Sequence, residues 1–90
     1  MRDFRSLSRE QQERFLAAVW LFIADIAAMD GGYTDRFRPG LRVKGVQGEP
    51  GLFEMTWAPD GRATFSWGTP IVKGKRHVVW ERCGDHSILP

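Results

Sequence analysis

Ninety residues, 42% hydrophobic and 27% charged, supply one ordinary core and exclude a two-domain enzyme. An aromatic share of 12% with four Trp is rich enough to pack that core, which also excludes a disordered or collagen-like chain. The net charge of +2 is uneven: residues 1–35 carry −2 and residues 36–90 carry +4, with Arg supplying ten of thirteen bases, so the second half is either a polyanion-binding surface or a solvated basic face.

Ser8 and Gln11 form a capping box, and Glu10 puts negative charge in the first turn, so a helix is predicted from about Arg9. Phe15, Val19, Phe22, Ile26 and Met29 recur at spacings of four and three, flanked by Leu16, Trp20, Ile23 and Ala27. In so small a domain this broad apolar stripe is expected to pack on a sheet, the other use being a partner-binding face. Gly31-Gly32 place the helix end near Met29 or Asp30. The apolar run 15–29 falls short of the roughly 18 residues a membrane span needs and contains Asp25, so no membrane insertion is expected.

After a polar connection over 33–38, Pro39-Gly40 marks a turn, and Leu41-Arg42-Val43-Lys44 alternates as a short strand with a cationic outer face. The glycines of 45–51 precede a strand rather than a helix, so that segment reads as a loop and not as a phosphate cradle. Residues 52–67 give the strongest local signal. Ala58-Pro59-Asp60-Gly61 suits a type I turn with Gly in the left-handed position, and pairing Ala58 with Arg62 sets Trp57 opposite Ala63, Met55 opposite Phe65 and Phe53 opposite Trp67. That register sorts the large apolar residues to one face and leaves Glu54, Thr56, Arg62, Thr64 and Ser66 on the other. Lys73-Gly74-Lys75-Arg76 reads as a basic turn before a buried strand over 77–83, whose inner face is either Val78 and Trp80 or Val79. Gly84 breaks that strand, and residues 85–89 add a short terminal one. The expected fold is α+β, an N-terminal helix packed on a small antiparallel sheet of three to four strands.

With Cys83 alone no internal disulfide forms, and no charged and apolar leader follows Met1, so a reducing cytoplasm is the expected home. Asp85-His86-Ser87 spells a hydrolase triad, but neighbours on an extended chain point to opposite faces. Cys83 and His86 have a metal-site spacing without a second pair, and no P-loop, dinucleotide fingerprint or nucleophile elbow is present, so neither metal nor cofactor is expected. What remains is Glu54 and Arg62 on one hairpin face, His86 near the C-terminus, and Lys73, Lys75, Arg76 and Arg82 as further cations. Metal-free RNA cleavage needs a base for the 2′-hydroxyl, a cation for the charge gathering on phosphorus and an acid for the leaving oxygen. Glu, Arg and His supply those types; an exposed surface ion pair beside a terminal polar residue is the plainer reading.

Leu52-Phe53-Glu54-Met55-Thr56-Trp57, the turn, Arg62-Ala63-Thr64-Phe65, and His77-Val78-Val79-Trp80 leading to Gly84-Asp85-His86-Ser87-Ile88-Leu89 resemble the sheet of the RelE/ParE toxin superfamily, and the helix over 9–29 resembles the second helix of its N-terminal hairpin. The resemblance spans residues 7–90 as a single domain. It implies a ribosome-dependent endoribonuclease that cleaves messenger RNA and is neutralised by a cognate antitoxin. By the same resemblance Glu54 and Thr56 fall on active-site positions, Arg62 on the phosphate-binding Arg and His86 near a C-terminal Arg or His. Glu54 then acts as base, Arg62 as clamp and His86 as acid, with Arg42, Lys44, Lys73, Lys75, Arg76 and Arg82 contacting the RNA. Two departures stand out: Leu89 occupies the place of a catalytic Tyr, and only residues 1–7 precede the helix where the family has a strand and a helix. They leave a second expectation open, a non-catalytic binding domain such as an inactive relative or a gyrase inhibitor.

Overall fold

The computed structural model describes residues 2–28, 37–69, 71 and 76–89. A short helix α1 (Arg2–Ser6) leads into α2 (Arg9–Ala28), and four strands follow: β1 (Lys44–Gly45), β2 (Phe53–Thr56), β3 (Gly61–Gly68) and β4 (His77–Asp85). They form one antiparallel sheet in the order β1-β2-β3-β4, so the architecture is the expected α+β. The expected helix end at Met29 or Asp30 and the Gly31-Gly32 cap lie outside the described residues.

The capping box forms as the sequence dictates: Ser8 N donates to Gln11 Oε1 at 2.8 Å, and Gln11 N donates to Ser8 Oγ at 3.2 Å. The pattern does not announce α1, which is held by tertiary contacts. The Gln12 amide donates to the Phe4 carbonyl at 3.0 Å, Phe4 lies 5.9 Å from the Phe15 ring, and Asp3 accepts from Arg82 Nε at 2.8 Å and from Cys83 N at 3.1 Å. Phe15, Ala18 and Phe22 of α2 meet Met55, Ala63, Phe65 and Cys83 of the sheet in the core, with Phe22 edge-on to Phe65 at 4.9 Å and 5.2 Å from Trp80. The rest of the apolar stripe divides. Val19 and Ile26 pack against this core, whereas the flanking Leu16, Trp20 and Ile23 are exposed, so the sheet covers only one side of α2.

The hairpin forms with a register two residues from the expected one: Phe53 faces Phe65, Met55 faces Ala63 and Thr56 faces Arg62. Side-chain sorting fixes only the parity of a register, since a shift by two keeps every residue on its face. The turn decides the rest. Gly61 N donates to Ala58 O at 3.0 Å and Trp57 N to Gly61 O at 3.1 Å, making 58–60 the loop. Gly61 is not left-handed as the turn pattern predicts, the described positive-φ glycines being Gly48 and Gly51, both at 82°. Its small size is needed for another reason, because a Cβ there would come within 2.6 Å of the Trp57 ring.

Three further expectations are corrected. Leu41-Arg42-Val43-Lys44 is not a strand: Pro39–Leu41 forms a 3₁₀ turn that buries Leu41, Arg42 takes the left-handed conformation at φ 48°, and the strand is only Lys44–Gly45. The 85–89 strand is replaced by a 3₁₀ turn, His86–Ile88, because the Asp85 carboxylate accepts from Ser87 N at 2.8 Å and curls the chain. Gly84 does not break the last strand: β4 runs on through Gly84, paired with Arg62, to Asp85, and because Arg82 faces Thr64 while Trp80 faces Phe65, Glu81 is the extra residue of a bulge. The bulge settles the open inner face, putting Val78 and Trp80 on the same side as Cys83, three residues on. Among the described residues no helix is long and apolar enough to cross a membrane.

Candidate functional site

Alternation along β2 and β3 sends Glu54, Thr56, Arg62 and Thr64 to the face away from α2. Glu54 pairs with Thr64 and Thr56 with Arg62, so Glu54 and Arg62 are diagonal neighbours, roughly 7–8 Å apart at Cα by the spacing of such pairs. β1 brings a third strand alongside, with Lys44 directly opposite Glu54. The result is a depression of about 310 Å³ lined by Arg42, Val43, Lys44, Glu54, Thr56 and Arg62. Five residues assigned from sequence thus share one cleft.

Within it Glu54 is nearly buried, 7% exposed, and its carboxylate lies 3.9 Å from Lys44 Nζ. Arg42, in the left-handed conformation just before β1, is exposed and lines the depression. Arg62 bends toward the hairpin turn, where Nη1 donates to the carbonyls of Ala58, Pro59 and Gly61 at 3.4, 3.3 and 3.0 Å. Those contacts fix the guanidinium in place without neutralising it.

His86 is not part of the lining of that depression. Its Nδ1 is hydrogen-bonded to the Asp60 carboxylate in the hairpin turn, a contact no sequence pattern reveals. The bond to Asp60 and its charge hold the His86 pKa above the ordinary histidine value, with Asp85 adding to the effect and Arg62 opposing it. Across β3–β4 Arg62 pairs with Gly84, two residues before His86. Arg62 therefore sits on the central strand, with Glu54 on the neighbour to one side and His86 just beyond the end of the neighbour to the other.

Arg82 and Arg76 do not line that depression. Arg82 is bound to Asp3 at 2.8 Å and ties α1 to β4, and its bond holds the Asp3 carboxyl below the usual range. Arg76 lies 5.7 Å from the Trp67 ring centroid, and Lys73 and Lys75 lie outside the described residues. Cys83 is buried at 3% exposure, and burial together with the Asp3 charge pushes its thiol up to about 12, so it is neither nucleophile nor ready ligand. Among the described residues no group of three His, Cys, Asp or Glu could hold a metal ion.

No protein-family model matches the chain, and neither a curated protein nor a solved structure does.

Proposed function

We propose that the protein is a RelE/ParE-like toxin, a metal-free endoribonuclease of the cytoplasm that cleaves messenger RNA, ribosome-dependent and with a cognate antitoxin as partner, as the family resemblance implies. The observation that carries this reading is the position of Arg62, between a carboxylate on one neighbouring strand and an imidazole at the end of the other. In-line attack on a phosphodiester needs base and acid on opposite sides of phosphorus. A phosphate held by Arg62, with Arg42 and Lys44 beside it, meets that requirement. Glu54 takes the 2′-hydroxyl proton, the 2′-oxygen bonds to phosphorus, and the bond from phosphorus to the 5′-oxygen breaks. His86 protonates the departing 5′-oxygen, leaving a 2′,3′-cyclic phosphate and a 5′-hydroxyl. Asp60 orients the imidazole through Nδ1 and leaves Nε2 as the donor, the role a carboxylate plays behind a catalytic histidine. Thr56 adds a hydroxyl to the floor of the same cleft.

Induction in cells followed by mapping of transcript ends tests the reading. Wild type is expected to generate new ends bearing cyclic phosphate, in cells and on purified ribosomes. Glu54→Gln and His86→Ala are each expected to slow cleavage by about 10²–10⁴-fold. Undiminished cleavage in the double variant overturns the assignment. One observation favours the second reading, a non-catalytic binding domain: Glu54 is nearly buried against Lys44, as a structural carboxylate would be. Unchanged transcripts together with growth arrest, or no toxicity at all, select that alternative.

A further inference from the structure

We propose that the groove between α2 and the hairpin turn, continued by the outward side of α2, seats an acidic amphipathic segment of a partner protein. From Leu16 to Ala28 the only charged residue of α2 is Asp25, whose carboxylate is bound to Arg38 at 2.8 Å, so this stretch is apolar on all sides. The sheet covers one side and leaves Trp20 72%, Ile23 49%, Leu16 46% and Leu21 42% exposed. A helix greasy all round belongs between two layers, and among the described residues the sheet is the one layer packed on α2.

Leu21 links this exposed side to a groove of about 560 Å³ floored by Ala17, Leu41, Trp57 and Pro59. Arg14, Arg38, Arg42 and Arg62 line the same groove, and no Asp or Glu does. Arg42 and Arg62 have no carboxylate partner among the described residues. An apolar floor beside unneutralised guanidinium groups complements a helix with aliphatic anchors on one side and carboxylates along the flank.

Two other occupants fit less well. Single-stranded RNA would need an open aromatic face within the groove to stack on, whereas the Trp57 ring there meets the edge of Phe15 at 6.0 Å and has Gly61 pressed against it, and the exposed Trp20 lies outside the groove lining. A second copy would bring an α2 whose acids Glu10 and Glu13 already pair with Arg14 and Arg9, and so no acidic strip for the groove. The groove shares Arg42 and Arg62 with the proposed nuclease cleft, so its occupant would cover those two guanidinium groups, whereas Arg14, Leu21, Trp20 and Arg38 take no part in that chemistry.

The test uses the full chain and a fluorescent synthetic helix of about 16 residues with Leu and Ile on one side and Glu along the flank, beside a twin with Lys for Glu. By anisotropy at physiological salt the Glu peptide is expected to bind at least about tenfold more tightly than its twin. Leu21→Glu and Arg42→Asn are each expected to weaken it by a similar factor with circular dichroism unchanged, Asn being at ease in the left-handed conformation of residue 42. Arg9→Ala is expected to leave binding intact. Equal binding of the twin, no binding of either peptide, or insensitivity to Leu21→Glu overturns the proposal. So does displacement of the peptide by an oligouridylate whose own binding needs Leu21, or a wild-type dimer that Trp20→Ser dissociates, each assigning the surface to another occupant.

Discussion

On the β2–β3 hairpin, Met55, Ala63 and Phe65 are fully buried on the inner side, while the outer side carries Glu54, Thr56, Arg62 and Ser66. On α2, Phe15 and Phe22 point inward, but Leu16, Trp20 and Ile23 point outward, apolar on both sides. The hairpin is complete as it stands: its second face is polar and already holds a charged cleft. The helix keeps apolar surface in water that nothing in its own sheet requires. In a chain of 90 residues the two faces thus separate what the fold needs from what another molecule would use.

The sharpest way to break that contrast is to truncate both sides of α2. Phe22→Ala removes a ring that contacts Phe65 and Trp80, and is expected to destabilise by about 3–5 kcal/mol in urea unfolding, enough to threaten folding itself. On the hairpin, Gly61→Ala pushes a methyl into the Trp57 ring and is expected to cost about 1–3 kcal/mol, whereas the same change at exposed Gly40, where a Cβ meets nothing, should be much milder. An acid titration separates the ties between elements. Asp3 and Asp25 have pKa values lowered by Arg82 and Arg38, so their contribution is complete above the ordinary value of 3.8 and is lost as pH falls through the lower folded values. The urea midpoint should fall in that acidic window, and less steeply in Asp25→Asn. The smallest effect is expected at Trp20→Ser, within about 0.5 kcal/mol of wild type by the same unfolding assay, because 72% of that residue is already in water. A large loss there would show that the outward side of α2 belongs to the core after all.

How much the sequence discloses differs along the chain for physical reasons. The faces of the hairpin are legible because a period of two sorts Phe53, Met55, Ala63 and Phe65 from Glu54, Thr56 and Arg62 whatever the turn does; the register is not, because sorting is blind to a shift of two. The β4 bulge has a signal in hindsight, since Trp80 and Cys83 share a side only if one residue is looped out between them. Helix α1 has none, because Asp3 meets Arg82 and Cys83 only after the chain has folded. In the candidate site, the shared face of Glu54 and Arg62 is legible. The arrival of Arg42 and Lys44 depends on β1 pairing with β2, and the partnership of His86 with Asp60 depends on the final turn meeting the hairpin turn.

The proposed cleavage depends on His86 donating a proton under the influence of Asp60. The deciding measurement is the pH dependence of single-turnover messenger RNA cleavage in wild type and Asp60→Asn. A protonated imidazole is the active form, so the rate should fall as pH rises through the raised His86 pKa, and Asp60→Asn should move that fall to lower pH, toward the ordinary value of 6.5. Superimposable profiles, or full cleavage in His86→Ala, would contradict it.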